Sequence, residues 1–467
     1  MVSGDGGMKE VYFRRQIEEK IERWHKQEDK LVLEIKGGRQ IGKTTTILHF
    51  ARNFYQNTIY VNLAGNTGRQ FMKILENSKN SDMKEIILEY CEFQNLSYTD
   101  DEKTVFIVDE IQENKYVYEQ IRNFNRELQC DVIVTGSYLQ RAREFFQPAG
   151  DVELLEMFPM NFEEFICAVD EKAYEYYRNT SIENICTGHK LEWYNKCFEA
   201  YKEVGGYPVV VKKYLECANI EEVEKTQNLI VQSILSELKT RADNLFDFTI
   251  ADSVFSSIII TMMREKKGDS KLLEEVSKMT ERYSSFRIST KECYNVIAWL
   301  KEAGFLGYCD KFVFTNSKME VLPAERIYFN DLGIFHYLCK QNSIENTNLN
   351  GVLSETYVYK ILNENDFCSN FKFTRPAFGV YNDYEIDFCV MNKADVMYGI
   401  EVKTGKAQGI SIREMLDKKK IDRAVYFKGE TKGGNSENEI TIPLPLAGKY
   451  KFQEENRKGA MERLEAF

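Results

Sequence analysis

The chain has 467 residues, of which 43% are hydrophobic, 13% aromatic and 29% charged, a composition typical of folded proteins. Its length exceeds what one hydrophobic core usually organises, and we expect about three domains. The formal net charge of −11 excludes nucleic-acid binding by overall charge, so any such binding requires local basic patches.

The sequence predicts neither a membrane segment nor a secretory signal. The best candidate for a membrane span, Val254 to Met263, is shorter than the roughly 18 residues that a membrane-spanning helix needs. The first ten residues are polar and do not resemble a signal peptide. The eleven cysteines occur singly, without a C-x-x-C pair. This usage indicates reduced thiols, so we expect a cytoplasmic protein that has no membrane partner.

The first third of the chain alternates predicted strands with predicted helices. Residues 10–27 have the periodicity of an amphipathic helix, and an apolar helix is predicted at Thr45 to Phe54. Short buried strands are predicted at Leu31 to Ile35, Thr58 to Leu63, Thr104 to Val108 and Asp131 to Thr135. This alternation predicts a parallel, doubly wound sheet.

The pattern then becomes helical and, later, mixed. Asn161 to Thr240 and Leu245 to Gly307 are predicted to be helical. The second stretch ends in an amphipathic helix at Ser289 to Gly304, followed by the strand-like Lys311 to Thr315, an order that indicates a winged helix–turn–helix. The remainder predicts an α/β unit, with helices at Leu353 to Leu362 and Ile412 to Lys419 and strands at Phe371 to Thr374, Glu385 to Met391, Tyr398 to Val402 and Arg423 to Phe427.

A glycine-rich loop lies between the first predicted strand and the apolar helix. It fits the P-loop pattern G-x-x-x-x-G-K-[ST] at every fixed position. Its glycines would let backbone N–H groups and the helix N-terminus face phosphates. Lys43 would reach the β and γ phosphates, and the Thr44 hydroxyl would bind Mg²⁺. The residues predicted to bind ATP are Gly37, Gly38, Arg39, Gln40, Ile41, Gly42, Lys43, Thr44 and Thr45.

Two acidic residues follow the third predicted strand. Asp109 and Glu110 would lie at the carboxyl edge of the sheet, where parallel sheets bind their ligands. Asp109, together with Thr44, is expected to hold the magnesium, and Glu110 is expected to polarise the attacking water. Ser137 follows the fourth strand and is expected near the γ-phosphate. Lys43, Glu110 and Ser137 are thus the predicted catalytic residues; the alternative is a solvated turn that happens to carry two acids.

In their order along the chain, these motifs resemble those of the archaeal and bacterial AAA-type P-loop ATPases. The similar segments are the P-loop, Val108-Asp-Glu-Ile-Gln112, Thr135-Gly-Ser137, Phe158-Pro-Met-Asn-Phe-Glu-Glu-Phe165 and Gly205-Gly-Tyr-Pro208. More narrowly, the chain resembles members with a C-terminal domain of unknown function that has a PD-(D/E)XK nuclease-like core. Three later segments carry this likeness: Tyr328-Phe-Asn-Asp-Leu-Gly333, Ile386-Asp-Phe388 and Ile400-Glu-Val-Lys403.

The resemblance extends from about residue 8 to about residue 430 and implies an α/β multidomain architecture. It implies an AAA-type ATPase domain at 1–165, a helical lid at 166–240, a winged-helix-like domain at 241–335 and a nuclease-like α/β domain at 336–467. ATP and Mg²⁺ are the implied cofactors. The implied partners are DNA or another nucleic acid, a protein, and further copies of the chain.

One position departs from the family pattern. Before Phe158 the family usually has glycine followed by arginine, a charge available to the γ-phosphate or to a neighbouring subunit. Here the pair is Gly150-Asp151, so that role is vacant or passes to Arg141 or Arg143.

A second group of residues lies in the C-terminal part. Glu401 and Lys403 would share one face of a strand, with Asp387 on the strand before it and Glu355 on a preceding helix. This resembles the carboxylate–lysine site of PD-(D/E)XK nucleases, in which carboxylates hold Mg²⁺. From Glu401 to Lys432, nine basic and five acidic residues give a local charge of +4, which suits a phosphate-bearing ligand. The alternative is a surface salt bridge between Glu401 and Lys403.

Three functions follow from these patterns. The first is an ATPase that uses ATP binding and hydrolysis to switch the winged-helix and nuclease-like modules. The second is a Mg²⁺-dependent DNA endonuclease under ATPase control. The third is a nucleotide-gated switch for protein interaction.

Overall fold

The computed structural model describes residues 11–78, 82–137, 150–182, 188–241, 248–263, 272–283, 289–343, 348–364, 371–405 and 409–452. The chain divides into two compact units. The first comprises Met1–Met160, Tyr207–Glu216 and Glu302–Gly304, and the second comprises Asn161–Gly206, Cys217–Lys301 and Phe305–Phe467. Arg141 and Arg143, the predicted substitutes for the missing arginine, lie outside the described residues.

A five-stranded parallel sheet forms the centre of the first unit. Its strands are β1 (Val32–Gly37), β2 (Asn57–Asn62), β3 (Thr104–Asp109), β4 (Asp131–Gly136) and β5 (Val152–Met157), in the order β2-β3-β4-β1-β5. The residues of β3 and β4 are buried throughout, as expected for a parallel sheet covered on both faces. Because the strands are parallel, their carboxyl ends meet at one edge of the sheet.

Helices connect these strands. They are α1 (Ile17–His25), α2 (Lys43–Phe54), α3 (Asn66–Asn77), α4 (Met83–Gln94), α5 (Lys115–Glu119) and α6 (Ile121–Glu127), with a short 3₁₀ helix at Ile111–Glu113. Aromatic side chains join α3 and α4 to the sheet: the Phe71 ring lies 5.5 Å from the Tyr90 ring and 5.7 Å from the Phe106 ring, measured between centroids. This packing holds the connecting helices in place and leaves the carboxyl edge of the sheet to the loops.

The predicted parallel sheet is confirmed, but the sequence pattern missed its fifth strand. β5 forms an edge of the sheet and pairs only with β1. Two glutamates, Glu153 and Glu156, interrupt its apolar residues, and Leu154 is 44% exposed. An exposed edge strand lacks the continuous apolar run that reveals a buried one.

The helices that follow β5 along the chain are numbered in the same way. They are α7 (Phe162–Val169), α8 (Glu171–Arg178), α9 (His189–Val204), α10 (Pro208–Cys217), α11 (Ile220–Arg241), α12 (Phe248–Met262), α13 (Leu272–Tyr283), α14 (Thr290–Glu302), α15 (Leu332–Gln341), α16 (Leu349–Glu364) and α17 (Ile410–Asp417). A second short 3₁₀ helix covers Leu444–Lys449.

An eight-stranded mixed sheet lies in the second unit. Its strands are β6 (Leu306–Phe314), β7 (Met319–Phe329), β8 (Ala377–Tyr381), β9 (Tyr384–Met391), β10 (Met397–Lys403), β11 (Arg423–Lys428), β12 (Gly434–Asn435) and β13 (Glu439–Pro443). The order is β12-β13-β11-β10-β9-β8-β6-β7. β10 pairs antiparallel with β9 and parallel with β11, so β10 is central and buried on both faces.

Two details of this sheet differ from the sequence prediction. The strand predicted at Phe371 to Thr374 is wrong: Phe371 makes only an isolated bridge to Asn392, and the strand is β8. The hairpin predicted after α14 is present as β6 and β7, but β6 also pairs in parallel with β8. The hairpin therefore extends the C-terminal sheet across the predicted boundary at residue 335, and the four predicted domains stay a prediction.

Two general properties follow from the described residues. Within the described ranges, no helix is long and apolar enough to cross a membrane. The nine cysteines in these ranges are all unpaired, and most of them are buried, which agrees with the reduced state expected from the sequence.

Candidate nucleotide-binding site

The P-loop connects β1 to α2 at the carboxyl edge of the first unit's sheet. Gly42 is the residue before α2, and its φ of +95° favours glycine. A Cβ atom on Gly37 would lie 2.3 Å from the Met157 carbonyl oxygen, so this position also has no room for a side chain. The loop backbone is thus tightly constrained between β1 and the end of β5.

Lys43 begins α2 and is buried, with its amine turned back over the loop. Its Nζ donates hydrogen bonds to the carbonyl oxygens of Gly37, at 3.0 Å, and Gly38, at 2.7 Å. The cation therefore lies at the concave face of the loop, where phosphate oxygens could replace the two carbonyls as its partners. Ile41 is fully buried, whereas Gln40 and Thr45 are exposed.

Asp109 ends β3 beside the first turn of α2. The Thr44 hydroxyl donates to its Oδ2 at 2.7 Å, and the Tyr60 hydroxyl, from β2, donates to the same oxygen at 2.7 Å. The Glu110 N–H donates to Oδ1 at 2.8 Å. Burial, the hydrogen bond to Asp109 and the negative charge of Asp109 raise the pKa of Tyr60 well above its ordinary value. The Asp109 carboxylate, itself only 1% exposed, is therefore fixed by donors on three sides.

Glu110 and Ser137 are linked through a residue that the sequence prediction did not assign. The Gln112 side chain donates to Glu110 Oε2 and accepts from the Ser137 N–H at 3.2 Å. Glu110 has a left-handed backbone, with φ 54° and ψ 42°, which turns the chain sharply after β3. The Ser137 Oγ is buried and has no hydrogen-bond partner among the described residues.

This donor set fits a magnesium nucleotide. Thr44 and Asp109 supply the hydroxyl and carboxylate oxygens that Mg²⁺ prefers, and they already lie within 2.7 Å of each other. Ser137 follows the carboxyl end of β4, at the same edge of the sheet, and its hydroxyl, unpartnered among the described residues, costs free energy until it finds an acceptor. The structure thus brings together all five of the predicted key residues, Lys43, Thr44, Asp109, Glu110 and Ser137.

Sequence reasoning missed three residues at this site. Tyr60 and Gln112 contact the predicted acids. Arg15 holds the P-loop from outside. Its guanidinium donates to the carbonyl oxygens of Ile41, at 2.6 Å, and Phe158, at 2.7 Å. Gln112 carried a signal, because it lies just beyond the carboxyl end of a predicted strand, whereas Tyr60 lies within one. Arg15 carried none, since it precedes α1 and meets the loop only through the fold.

Asp151, the residue that departs from the family pattern, does not lie at the P-loop. Asp151 immediately precedes β5, and its backbone carbonyl accepts from the Val32 N–H at the start of β1. It therefore lies at the amino edge of the sheet, opposite the P-loop. Its carboxylate lies 3.2 Å from Arg122 Nε and 3.9 Å from Arg126 Nε, so it pairs with α6.

The C-terminal carboxylates also come together, in the second unit. The Val402 N–H donates to Asp387 Oδ2 at 2.6 Å, and Lys403 Nζ lies 2.6 Å from Glu401 Oε1. Glu355 accepts a hydrogen bond from the Tyr328 hydroxyl. Glu401 Oε2 is buried without a hydrogen-bond partner among the described residues.

Burial and mutual repulsion perturb these groups. Burial, and then the negative charge of Asp387, raise the pKa of Glu355 to about 7 and that of Glu401 to about 7. Burial also raises the pKa of Asp387 itself. Burial lowers the pKa of Lys403, but Asp387 and Glu401 outweigh it and raise that pKa overall.

Among its described residues, the structure does not show the metal site that the sequence predicts here, and that site stays a prediction. Among the described residues, no group of three or more His, Cys, Asp and Glu side chains is arranged so that it could hold a metal ion. The possible second metal site at Glu355, Asp387, Glu401 and Lys403 thus has no support from the structure. What the structure provides is a cluster of partly buried carboxylates in which Lys403 pairs with Glu401.

Comparison with known proteins identifies the class of the first domain. Residues 29–166 match the family model described as an AAA domain. This range contains the P-loop, Asp109, Glu110 and Ser137. The chain therefore contains an AAA-type P-loop domain, a class that binds nucleotides, typically with Mg²⁺.

The particular relatives are distant. The Aeropyrum pernix ORC1 protein, solved in complex with DNA, is 15% identical, with 71% of this chain and 93% of that chain covered and a TM-score of 0.30. The Thermotoga maritima RuvB Holliday junction branch migration motor is 15% identical, with 63% and 90% covered and a TM-score of 0.29. A STAND protein with a tetratricopeptide repeat sensor from Pyrococcus horikoshii is 14% identical, with 76% and 45% covered and a TM-score of 0.27.

Likenesses at these levels are too weak to transfer any property of those proteins to this chain. No curated protein matches the sequence.

Proposed function

We propose that this protein binds ATP with Mg²⁺ at the P-loop and hydrolyses it. One observation carries the proposal: Thr44 and Asp109 are in direct contact at 2.7 Å, next to Lys43 and Glu110. Bound Mg²⁺ would neutralise charge on the phosphates as the terminal phosphoryl group is lost. The protein's own residues position the groups around that step.

Each side chain has a distinct task in this proposal. Lys43 exchanges its loop carbonyls for phosphate oxygens, and Thr44 and Asp109 hold the metal. Glu110 orients the attacking water, and Gln112 fixes the Glu110 carboxylate. The Ser137 hydroxyl gains a phosphate oxygen as the partner that it lacks among the described residues.

Nucleotide binding is tested first through the lysine. Lys43→Ala should lower ATP affinity by two orders of magnitude or more, because it removes the charge that lies at the concave face of the loop. Isothermal titration with ATP and Mg²⁺ measures this directly. Lys84→Ala, on the exposed surface of α4, is the matched control. Affinity in Lys43→Ala equal to that of the wild type would contradict the assignment.

We further propose that nucleotide state switches the second unit, whose parts we assign as a helical lid, a winged helix and a nuclease-like module. The chain connectivity supports this proposal. After leaving the first unit at Met160, the chain returns to it at Tyr207–Glu216 and again at Glu302–Gly304. Nucleic acid, a protein or further copies of the chain are the partners proposed for this unit. Retention on DNA without cleavage would favour a nucleic-acid partner over a purely protein one.

The alternative function is a DNA endonuclease in the second unit. The ion pair between Lys403 and Glu401, beside Asp387, favours it, although no metal-holding group is found among the described residues. Incubation with plasmid DNA and Mg²⁺ tests it. Cleavage that is lost in Lys403→Ala would establish the endonuclease, and intact plasmid with the wild type would exclude it.

A further inference from the structure

The turn Gly205–Gly206 ends α9 in a buried junction of the second unit. Gly205 has a φ of +77°, which favours glycine, and its N–H donates to the Tyr201 carbonyl at 2.8 Å. The Gly206 N–H then points away from α9 and donates to Asp331 Oδ2 at 2.7 Å. The direction in which the chain leaves α9 is thus fixed by a carboxylate from another element.

Asp331 uses its second oxygen to cap the following helix. Its Oδ1 accepts from the Ile334 N–H at 2.9 Å, at the start of α15. The surroundings are closely packed: a Cβ on Gly205 would lie 2.3 Å from Asp331 Oδ1, and a Cβ on Gly333 would lie 2.3 Å from the Val204 carbonyl oxygen. One buried carboxylate, 4% exposed, therefore joins the end of α9 to the beginning of α15.

The chain passes into the first unit directly after this turn. The second unit ends at Gly206, and Tyr207 begins the segment assigned to the first. Within the first unit, the Pro208 Cγ lies 3.6 Å from the position of a Cβ on Gly42. Gly42 is the residue before α2, in the P-loop. Only one residue, Tyr207, thus separates Gly206, which bonds to Asp331, from Pro208, which lies beside the P-loop.

We propose that Asp331 is a positioning residue for the nucleotide site. Its bond to Gly206 holds the backbone from which Tyr207 and Pro208 extend beside Gly42. A segment already held in its binding geometry loses less conformational freedom when the nucleotide binds. By linkage, the bound nucleotide stabilises the same hydrogen bond, so nucleotide binding also affects the start of α15. This inference rests on the proposed ATP binding and adds the route by which the second unit senses it.

Asp331→Asn tests the proposal with little change of shape. Asparagine is as good a helix cap as aspartate, so its oxygen can keep the bond from Ile334. Its amide nitrogen then faces the Gly206 N–H, donor against donor, and the bond to Gly206 is lost. We expect the dissociation constant for ATP and Mg²⁺ to rise about three- to tenfold, the range for one lost hydrogen bond.

Asp170→Asn is the matched control. Asp170 caps α8 by accepting from the N–H groups of Lys172 and Ala173, and it makes no bond to the turn at Gly206. Its ATP dissociation constant should stay within about twofold of the wild-type value. An equal loss of affinity in both variants would mean that general destabilisation is the cause, and this would contradict the proposal.

A double-mutant cycle with Pro208→Ala identifies the route. If Asp331 acts through Pro208, the double variant should bind ATP no more weakly than the weaker single variant. Fully additive losses, or unchanged affinity in Asp331→Asn, would overturn the proposal. If Asp331→Asn does not fold, Pro208→Ala alone tests the proposal. Unchanged ATP affinity in Pro208→Ala would contradict the proposed connection through Pro208. Failure of the wild type to bind ATP would instead contradict the proposed function itself.

Discussion

Tyr60 places a hydroxyl on the carboxylate that is proposed to hold magnesium. It shares Asp109 Oδ2 with Thr44, each at 2.7 Å, and its own position is set by the pairing of β2 with β3. A residue of this kind orients a metal ligand without touching the metal. The acids themselves were predictable from a local motif, whereas this supporting tyrosine depends on which strand lies next to β3.

Tyr60→Phe should therefore weaken magnesium binding, so that ATPase activity needs a higher Mg²⁺ concentration, without removing nucleotide binding. Loss of such a supporting hydrogen bond usually costs about 10- to 100-fold in metal affinity. A titration of ATPase activity with Mg²⁺ measures the effect. Tyr55→Phe is the control, because Tyr55 also bonds a carboxylate, Asp131, at 2.6 Å, but at the other edge of the sheet. Equal magnesium dependence in wild type and Tyr60→Phe would show that Tyr60 plays no part in metal binding.

The buried carboxylates of the second unit predict a pH dependence of stability. The pKa of Glu355 is raised from its ordinary value of 4.5 to about 7. The folded protein then keeps a proton that the unfolded chain releases, so stability should fall as the pH rises from about 4.5 to about 7. Above that pH range, the total loss in the free energy of unfolding is on the order of 3 kcal/mol.

Glu355→Gln removes this titration while its side-chain oxygen can still accept from Tyr328. The variant should be more stable than the wild type at pH 8, by up to about 3 kcal/mol, and nearly equal to it at pH 5. Urea unfolding at both pH values measures the difference, with the exposed Glu437→Gln as the control. A variant that is less stable than the wild type at pH 8 would contradict the buried-repulsion account.

At the scale of single elements, one motif of the family resemblance has a plain physical basis. Asn161 and Glu164 form a capping box at the start of α7: each side chain accepts the backbone N–H of the other. The acidic first turn also suits the positive end of the helix dipole. The segment Phe158 to Phe165 therefore contains a helix start, and the capping box stabilises the first turn of α7 after β5.

Asn161→Ala should destabilise the protein by about 1 kcal/mol, with a range of roughly 0.5–2 kcal/mol, through loss of the cap. Chemical denaturation measures the change in the free energy of unfolding. Glu163→Ala alters the same turn but lies outside the capping box, so it should cost less than Asn161→Ala. The reverse order would show that the box does not stabilise α7.

Across the whole molecule, the sequence predicted features that depend on neighbouring residues and missed features that depend on distant ones. The P-loop and the acidic pair were readable because their chemistry lies in contiguous residues. β1 to β4 were readable because buried parallel strands are continuous apolar runs. The edge strand β5 and the parallel pairing of β6 with β8 were not, since each depends on a neighbour more than 60 residues away. Arg15 was missed for the same reason, since it contacts Phe158, 143 residues further along the chain.

Steady-state ATP hydrolysis with Glu110→Gln tests the central claim most directly. The substitution keeps the size of the side chain and removes the charge that would orient the attacking water, and losing such a group usually costs about 10²- to 10⁴-fold in rate. We predict that Glu110→Gln binds ATP like the wild type and loses at least a hundredfold in turnover, while Glu113→Gln, an exposed neighbour, hydrolyses ATP at the wild-type rate. Turnover in Glu110→Gln equal to that of the wild type would contradict the account.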